Sequence, residues 1–299
     1  MLIAFIGDIH GRVFHTLALI ETWQRRSGRK LDLVIQVGDL GAYPEPTESL
    51  LNEKYVELDA AELDFSRLVK AEADGKLADD LRYLRRHHVG PILFIRGNHE
   101  DFDWLDSQSC DIDQGTVPVD SFDLFHYVKD GTVLNYDGTR IAFLGGIETP
   151  KPKRKSIDPA AYERLLQCKP SDIDILITHD APYGIGRSFH GQTQGSALLS
   201  KLIETIEPNY LIAGHYHHVI GPKACGRTTY LGLDVLVDLR DDGERRGVQP
   251  GSMAVLDTAT KELQVVQDDW LAQLDKHFAF PIFMERLKQR DHRDRTRTE

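Results

Sequence analysis

Cysteine is scarce in this chain, long apolar runs are missing, and basic residues are outnumbered by acidic ones. Each shortage removes a class of protein. The three cysteines, Cys110, Cys168 and Cys225, lie far apart with no C-x-x-C pair. Neither a disulfide framework nor a thiolate zinc site fits that pattern, and a reducing compartment is the expected setting. The N-terminal apolar run, Leu2 to Ile6, leads straight into Gly7-Asp8. It is too short for a secretory core or a membrane span, so the expectation is a cytoplasmic protein with no membrane partner. A net charge of -11 argues against binding nucleic acid over the whole surface, because phosphate backbones are held mainly by Lys and Arg. Nucleic acid stays open as a partner only through local basic patches.

What is present points elsewhere. With 41% apolar residues in 299, the chain can bury a substantial core. Thirteen histidines are the more useful clue. Several stand beside Gly, Asp or Asn at the ends of expected strands, where imidazole suits metal or proton work.

The first such place is Gly7-Asp8-Ile9-His10-Gly11, where the strand Leu2–Ile6 runs out. Asp8 and His10 are two apart and would project the same way from an extended chain, and a turn at Gly11 could bend both toward one ion. The bland alternative is a strand end that caps the next helix. That helix shows as Phe14, Leu17, Ala18, Ile20 and Trp23 at near-helical spacing, closing in Arg25, Arg26, Arg29 and Lys30, cations that suit its C-terminus. Leu31–Val37 follows as a strand and delivers Gly38-Asp39. Strand, helix, strand implies a right-handed parallel unit, and ligands gather at the carboxyl ends of such strands.

Residues 43–90 begin with a proline-bearing loop and continue as a polar, charged, helical pattern. This is a helical insertion over the sheet, and a crossover helix pair explains it better than a dedicated cap. The cluster Arg82, Arg85, Arg86, His87, His88 reads as a solvated helix face. A third strand, Pro91–Ile95, delivers Arg96-Gly97-Asn98-His99-Glu100-Asp101. Asn98 offers an amide oxygen to a cation, His99 a proton, and Glu100 or Asp101 a carboxylate to orient that imidazole.

Residues 102–130 carry little signal. Thr132–Asn135 and Arg140–Leu144 flank the turn Tyr136-Asp137-Gly138 and form an expected hairpin. The loop Lys151-Pro152-Lys153-Arg154-Lys155 is basic and stiff; solvation is its ordinary role, gripping substrate phosphates the alternative. Ile173–Thr178 is a buried strand ending in His179, and a Gly-rich loop after it carries Arg187 and His190, which could reach substrate. After a helix over Ser196–Ile206, the strand Tyr210–Ala213 ends in Gly214-His215-Tyr216-His217, with both histidines on one face. Short strands are expected at Thr229–Leu233, Val235–Leu239, Met253–Leu256 and Leu263–Val266, at the edge of a second sheet. The basic end from 288 to 299 is expected to fray.

Five blocks thus occur in order over residues 7 to 217: D-x-H, G-D, G-N-H-E, a lone His, and G-H-x-H. In this the chain resembles the calcineurin-like metallophosphoesterase superfamily. The resemblance implies a four-layer α/β/β/α sandwich of two mixed sheets, here one domain over 1–299, and a metal-dependent phosphoester hydrolase. It implies that Asp8, His10 and His217 hold one divalent ion, that Asn98, His179 and His215 hold another, and that Asp39 bridges the two. Such a pair, roughly 3.5–4 Å apart, would hold the hydroxide that attacks phosphorus. His99 would be the general acid, with Asp101 or Glu100 orienting it. Manganese is the expected metal, and iron, zinc and nickel suit the same nitrogen and oxygen ligands.

Arg96 matches the serine/threonine phosphatase branch, where that arginine contacts the substrate phosphate. The match breaks after Asp39: that branch has D-R-G, whereas Leu40-Gly41-Ala42-Tyr43-Pro44 stands here. The long gap before the third block is similar to branches that cleave diesters, lariat debranching enzymes among them. The substrate is therefore a phosphate ester, mono- or diester. A nuclease acting on nucleic-acid ends or branches is the alternative, and a non-catalytic metal-binding scaffold the third reading.

Overall fold

The computed structural model describes residues 1–47, 57, 59–108, 115–187, 192–238, 247–275 and 277–298. Its strands are β1 (Leu2–Ile6), β2 (Leu33–Gln36), β3 (Ile92–Phe94), β4 (Thr116–Pro118), β5 (Phe125–Val128), β6 (Val133–Tyr136), β7 (Thr139–Leu144), β8 (Ile175–Thr178), β9 (Gly186–Arg187), β10 (Thr193–Gln194), β11 (Tyr210–Ala213), β12 (Ile220–Cys225), β13 (Thr228–Gly232), β14 (Met253–Asp257) and β15 (Glu262–Val265). Its α-helices are α1 (Val13–Ser27), α2 (Asp64–Val69), α3 (Lys76–His87), α4 (Phe102–Ser107), α5 (Pro159–Leu165), α6 (Ala197–Ile206) and α7 (Phe280–Thr298). No helix is long and apolar enough to cross a membrane.

Two mixed sheets carry the fold, ordered β15-β14-β1-β2-β3-β5-β4 and β12-β13-β11-β8-β7-β6. Side-chain alternation decides what lies between them. On β1, Leu2, Ala4 and Ile6 pack with α1, α3 and α7, whereas Ile3 and Phe5 face the other sheet. On β7, Ile141 and Phe143 meet Ile3 and Phe5, while Ala142 and Leu144 pack with Tyr162 of α5 and Leu199 of α6. Three apolar cores therefore separate four layers: helices, sheet, sheet, helices.

Strand direction then positions the site. β1, β2 and β3 run parallel, as do β7, β8, β11 and β13. Their carboxyl ends deliver Asp8, Asp39 and Asn98 from one sheet and His179 and His215 from the other. The expected α/β class and two-sheet architecture are what the chain adopts.

Several local expectations differ. β14 and β15 extend the first sheet rather than edging the second, because β14 pairs antiparallel with β1, from Leu2 opposite Asp257 to Ile6 opposite Met253. Residues 235–238 are not a strand. Their backbone closes over the first metal-type loop instead, with Leu236 N donating to Asp8 O at 2.7 Å. The quiet stretch 102–130 holds α4, β4 and β5, elements too short to show a period. In the 43–90 segment, the described residues include a 3₁₀ turn, Ala60–Leu63, and two separate helices, α2 and α3, broken before Lys76 by Gly75 at φ 121°.

The basic end, expected to fray, is helical to Thr298. Phe280, Met284 and Leu287 repeat at i, i+4, i+7 and bury one face, and polar contacts fix the next turns. Lys288 Nζ donates to Asp80 Oδ1 at 2.6 Å, and Asp291 Oδ2 accepts from Tyr83 at 2.5 Å and pairs with His88 at 2.7 Å. Leu287→Ala is expected to cost about 2–5 kcal/mol in urea unfolding, by loss of packing and a residual cavity. The same change at Ile282, 51% exposed, should move stability by less than about 0.5 kcal/mol. Equal effects at the two positions would mean that α7 does not dock.

Candidate metal centre

The loops that follow the strand ends are bent by conformations that ordinary side chains avoid. Among the described residues nine non-glycines have positive φ, and four of them are His10, Asp39, His215 and His217. Each such position costs on the order of 1–3 kcal/mol unless its surroundings enforce it. Glycines supply the remaining clearance: a Cβ on Gly97 would overlap Asp39 Oδ1, and one on Gly214 would overlap Asp8 Oδ1.

Asp39 lies at the middle of the resulting cluster, 1% exposed. Its Oδ1 accepts from Asn98 N at 2.6 Å and His99 N at 2.8 Å and lies 3.3 Å from His179 Nε2. Its carbonyl accepts from Ile9 N and His10 N, at 3.1 and 3.0 Å, so one residue ties the first loop to the third. Asp8, also 1% exposed, accepts from His215 N on both oxygens at 3.1 Å. His217 Nε2 lies 3.0 Å from Asp8 Oδ2 and 3.3 Å from His10 Nε2. Ligand-type atoms of Asp8, His10, Asp39 and His217 all fall within 4.8 Å of one another.

The second half forms around His179, which is fully buried. Its Nδ1 donates to Val37 O at 3.1 Å, which leaves Nε2 pointing at Asn98 Oδ1, 3.1 Å away, and at Asp39 Oδ1. The His215 ring packs against it at 5.0 Å between centroids. A ring nitrogen flanked by two oxygen acceptors is where a cation belongs, and the fixed tautomer presents that nitrogen to it. All seven residues singled out as ligands are therefore brought together, and the donor set, oxygen and imidazole without thiolate, fits a divalent transition metal.

Electrostatics follow from this crowding. Burial alone would lower His179, yet the Asp39 and Asp8 carboxylates push it up to about 10. Burial would raise Asp8 and Asp39, but His179 keeps both below the usual carboxylate range, with His217 adding to the effect on Asp8. Burial lowers His10 to about 3 and His215, beside His179, to about 4. His10 and His215 are thus already in the protonation state that metal binding needs, whereas His179, and His217 beside Asp8, are held toward the charged form and would have to give up a proton.

Other expected site residues fall differently. His99 is exposed, its ring edge-on to His10 at 5.7 Å between centroids. Neither proposed orienter serves it. Glu100 is buried, and its carboxylate accepts from Leu40 N, Ala42 N and Gly97 N at 2.9, 2.6 and 3.2 Å, bracing the second loop against the third. Asp101 caps α4, accepting from Trp104 N at 3.0 Å. Arg96 is also turned away from its expected role. Its guanidinium is 2.6 Å from Asp130 and donates to Arg154 O and Ser156 O at 2.8 Å, so it anchors the 151–156 loop from a buried position. Arg187 lies on β9, paired with Thr193 of β10, and His190 falls outside the described residues.

Two supporting residues had no sequence signal. Arg12, 1% exposed, pairs with Asp59 at 2.8 Å and Glu62 at 3.1 Å, partners some fifty positions away that hold the 59–63 turn against the His10 loop. Gln36 is buried at the end of β2, where its amide donates to Gly7 O at 3.1 Å and accepts from Gly38 N at 3.1 Å, holding two ligand loops in register.

Comparison with known proteins places this geometry among relatives. The family model for calcineurin-like phosphoesterases matches residues 1–219. A UPF0046 protein of Caenorhabditis elegans, K07C11.7, is 32% identical over 148 residues, covering 46% of this chain and 50% of that one. The lariat debranching enzyme of Drosophila pseudoobscura pseudoobscura is 27% identical over 256 residues, 73% of this chain and 42% of that one. That of Entamoeba histolytica is 24% identical over 276 residues, 79% of this chain and 72% of that one. The chain spans half or less of the length of the first two relatives. Among solved structures, TT1561 of Thermus thermophilus superposes with a TM-score of 0.50 at 16% identity, over 89% of this chain and 98% of that one, which supports the fold.

In the metal-free protein His179 keeps its proton up to about pH 10, whereas an unfolded histidine loses it near 6.5. Its contribution to stability is therefore complete below about pH 6.5 and lost as pH rises toward 10. Adding manganese at pH 8 should displace that proton. Calorimetry in buffers of differing ionisation enthalpy is expected to show about one proton fewer released in His179→Gln. Unchanged release would remove His179 from the ligand set.

Proposed function

The chain belongs to the calcineurin-like phosphoesterase family, and from that premise we propose that it is a two-metal phosphoester hydrolase that prefers diesters. The observation that carries this reading is the convergence of Asp8, His10, Asp39, Asn98, His179, His215 and His217 on one edge of the two sheets, with Asp39 placed to serve both halves. Asp8, His10 and His217 would hold one ion, Asn98, His179 and His215 the other. When bound, two divalent ions supply Lewis acidity and a water of lowered pKa. Manganese is our first choice, with iron, zinc or nickel as alternatives.

The chain's own residues supply the rest. Val37 O fixes His179 through its Nδ1, and the Asn98 and His99 amides hold the Asp39 carboxylate so that it needs no reorientation during turnover. His99, exposed beside His10, is free to give its proton to the departing alkoxide as general acid. Neither Glu100 nor Asp101 orients it, because both are engaged by backbone amides.

Diester preference follows from charge. A monoester carries nearly two negative charges at neutral pH, and enzymes bind such a group with arginines. Arg96 is locked to Asp130, and the run Leu40-Gly41-Ala42-Tyr43-Pro44 that follows Asp39 carries no arginine, whereas the serine/threonine phosphatase branch has D-R-G there. A singly charged diester needs less compensation. The similarity to lariat debranching enzymes points the same way, and it favours RNA as a substrate class over protein phosphate. A nuclease reading gains little from the basic loop, where Arg154 is paired with Asp103 and Asp106. We read residues 1–299 as one catalytic domain, since residues from Leu2 to Leu287 share one core.

Asp39→Asn is expected to lose both bound metal, read by elemental analysis, and hydrolysis of bis(4-nitrophenyl) phosphate. His99→Ala should retain metal and lose about 10²–10⁴-fold in kcat for a diester with an alkoxide leaving group. It should lose far less for nitrophenolate, which departs without a proton. Equal losses on the two substrates would contradict the acid role.

A further inference from the structure

One strand out from Asn98, at the same carboxyl edge, a cavity of about 510 Å³ opens between the end of β5, α4 and the 147–159 loop. That volume lies within the range of small-molecule sites. Its apolar wall is Phe102, Leu105, Ile157 and Leu198. Four acidic residues line it, and each already has a partner. Asp130 holds Arg96, Asp106 holds Arg154, Asp158 caps α5, and Glu148 accepts from Ser196 Oγ at 2.7 Å.

The cations and the phenol are different. Lys129 and Lys153 line the cavity with no ion-pair partner among the described residues. Tyr127 is 5% exposed and also lines it, and its hydroxyl has no hydrogen-bond partner among the described residues. Burial pushes that phenol far above its usual range, with Asp130 contributing, so it stays a proton donor. A phenol hydroxyl lining the cavity beside two ammonium groups that have no ion-pair partner among the described residues suits an anionic acceptor. Formal charges of the lining, Arg96, Lys129, Lys153 and Arg154 against Asp106, Asp130, Glu148 and Asp158, cancel. A single negative charge suits that balance better than a dianion, and the facing apolar wall suits a flat ring.

We propose that this cavity is a binding subsite for one nucleotide unit, a ring carried on a singly charged phosphate ester, with Tyr127, Lys129 and Lys153 on the phosphate and Phe102, Leu105 and Leu198 against the base. As a statement about substrate it rests on the hydrolase reading above; as a binding site it does not. It gives the diester preference a physical cause, since the nucleotide on one side of the scissile linkage has somewhere to lie.

The methyl ester of AMP is the probe, titrated by calorimetry into protein stripped of metal with EDTA, so that the metal centre cannot capture the phosphate. It is expected to bind, with the methyl ester of ribose 5-phosphate at least about tenfold weaker for want of the ring. Lys129→Ala with Lys153→Ala, and Tyr127→Phe alone, should each weaken the probe about five- to tenfold at unchanged melting temperature. Asp39→Asn should leave its binding intact. No binding, equal binding of the ribose ester, wild-type affinity in the cavity variants, or loss in Asp39→Asn would each overturn the subsite. Binding by the stripped protein with no diester hydrolysis after manganese is restored would leave the subsite standing and refute the hydrolase reading.

Discussion

A buried carboxylate at the seam of two sheets is the constraint on which this structure depends. Asp39 is removed from water, stays ionised, and is held by two amides of the next strand's loop and faced by an imidazole from the opposite sheet. An isolated buried carboxylate would be costly, and its neighbours are arranged to compensate it. His179 must come from the second sheet and arrive with its Nδ1 turned to Val37. The strained turns at His10 and Asp39, the glycines that clear space, and the braces from Glu100 and Gln36 all follow from bringing that many polar groups to one point.

Much of this was legible from residue order because the fold makes it so. A parallel strand presents whatever follows it at one edge, and apolar runs such as Leu2–Ile6 announce the strand while the polar residues soon after, such as Asp8 or Asn98, announce the edge. That the seven candidate ligands would meet at that edge could be read for the same reason. What could not be read were contacts that depend on distant partners. Arg12 looks like any polar residue at a helix start, and only its burial against Asp59 and Glu62 shows what it does. Arg96 misled through its position: a motif predicts where its backbone runs, but Asp130 and the 154–156 carbonyls decide where its guanidinium goes. The tail misled through its charge, because a helix needs only one apolar face to dock and Phe280, Met284 and Leu287 provide it.

The proposed preference for diesters rests on how charge is distributed among the described residues. Among the described residues, Arg96 is turned into the protein onto Asp130, and the run after Asp39 carries no arginine. Lys129 and Lys153, without ion-pair partners among the described residues, line the cavity walled by Tyr127 and Phe102 instead. The proposed substrate, an ester with one charge at the metal centre and its organic arm in the cavity, would match that distribution.

The central claim is that Asp39 stands between two cations. Crystals soaked in manganese and measured at the manganese absorption edge test it without reference to activity. Two anomalous peaks are expected, one against Asp8, His10 and His217 and the other against Asn98, His179 and His215, with Asp39 touching both. A single peak, or peaks elsewhere with this cluster unchanged, would contradict the account.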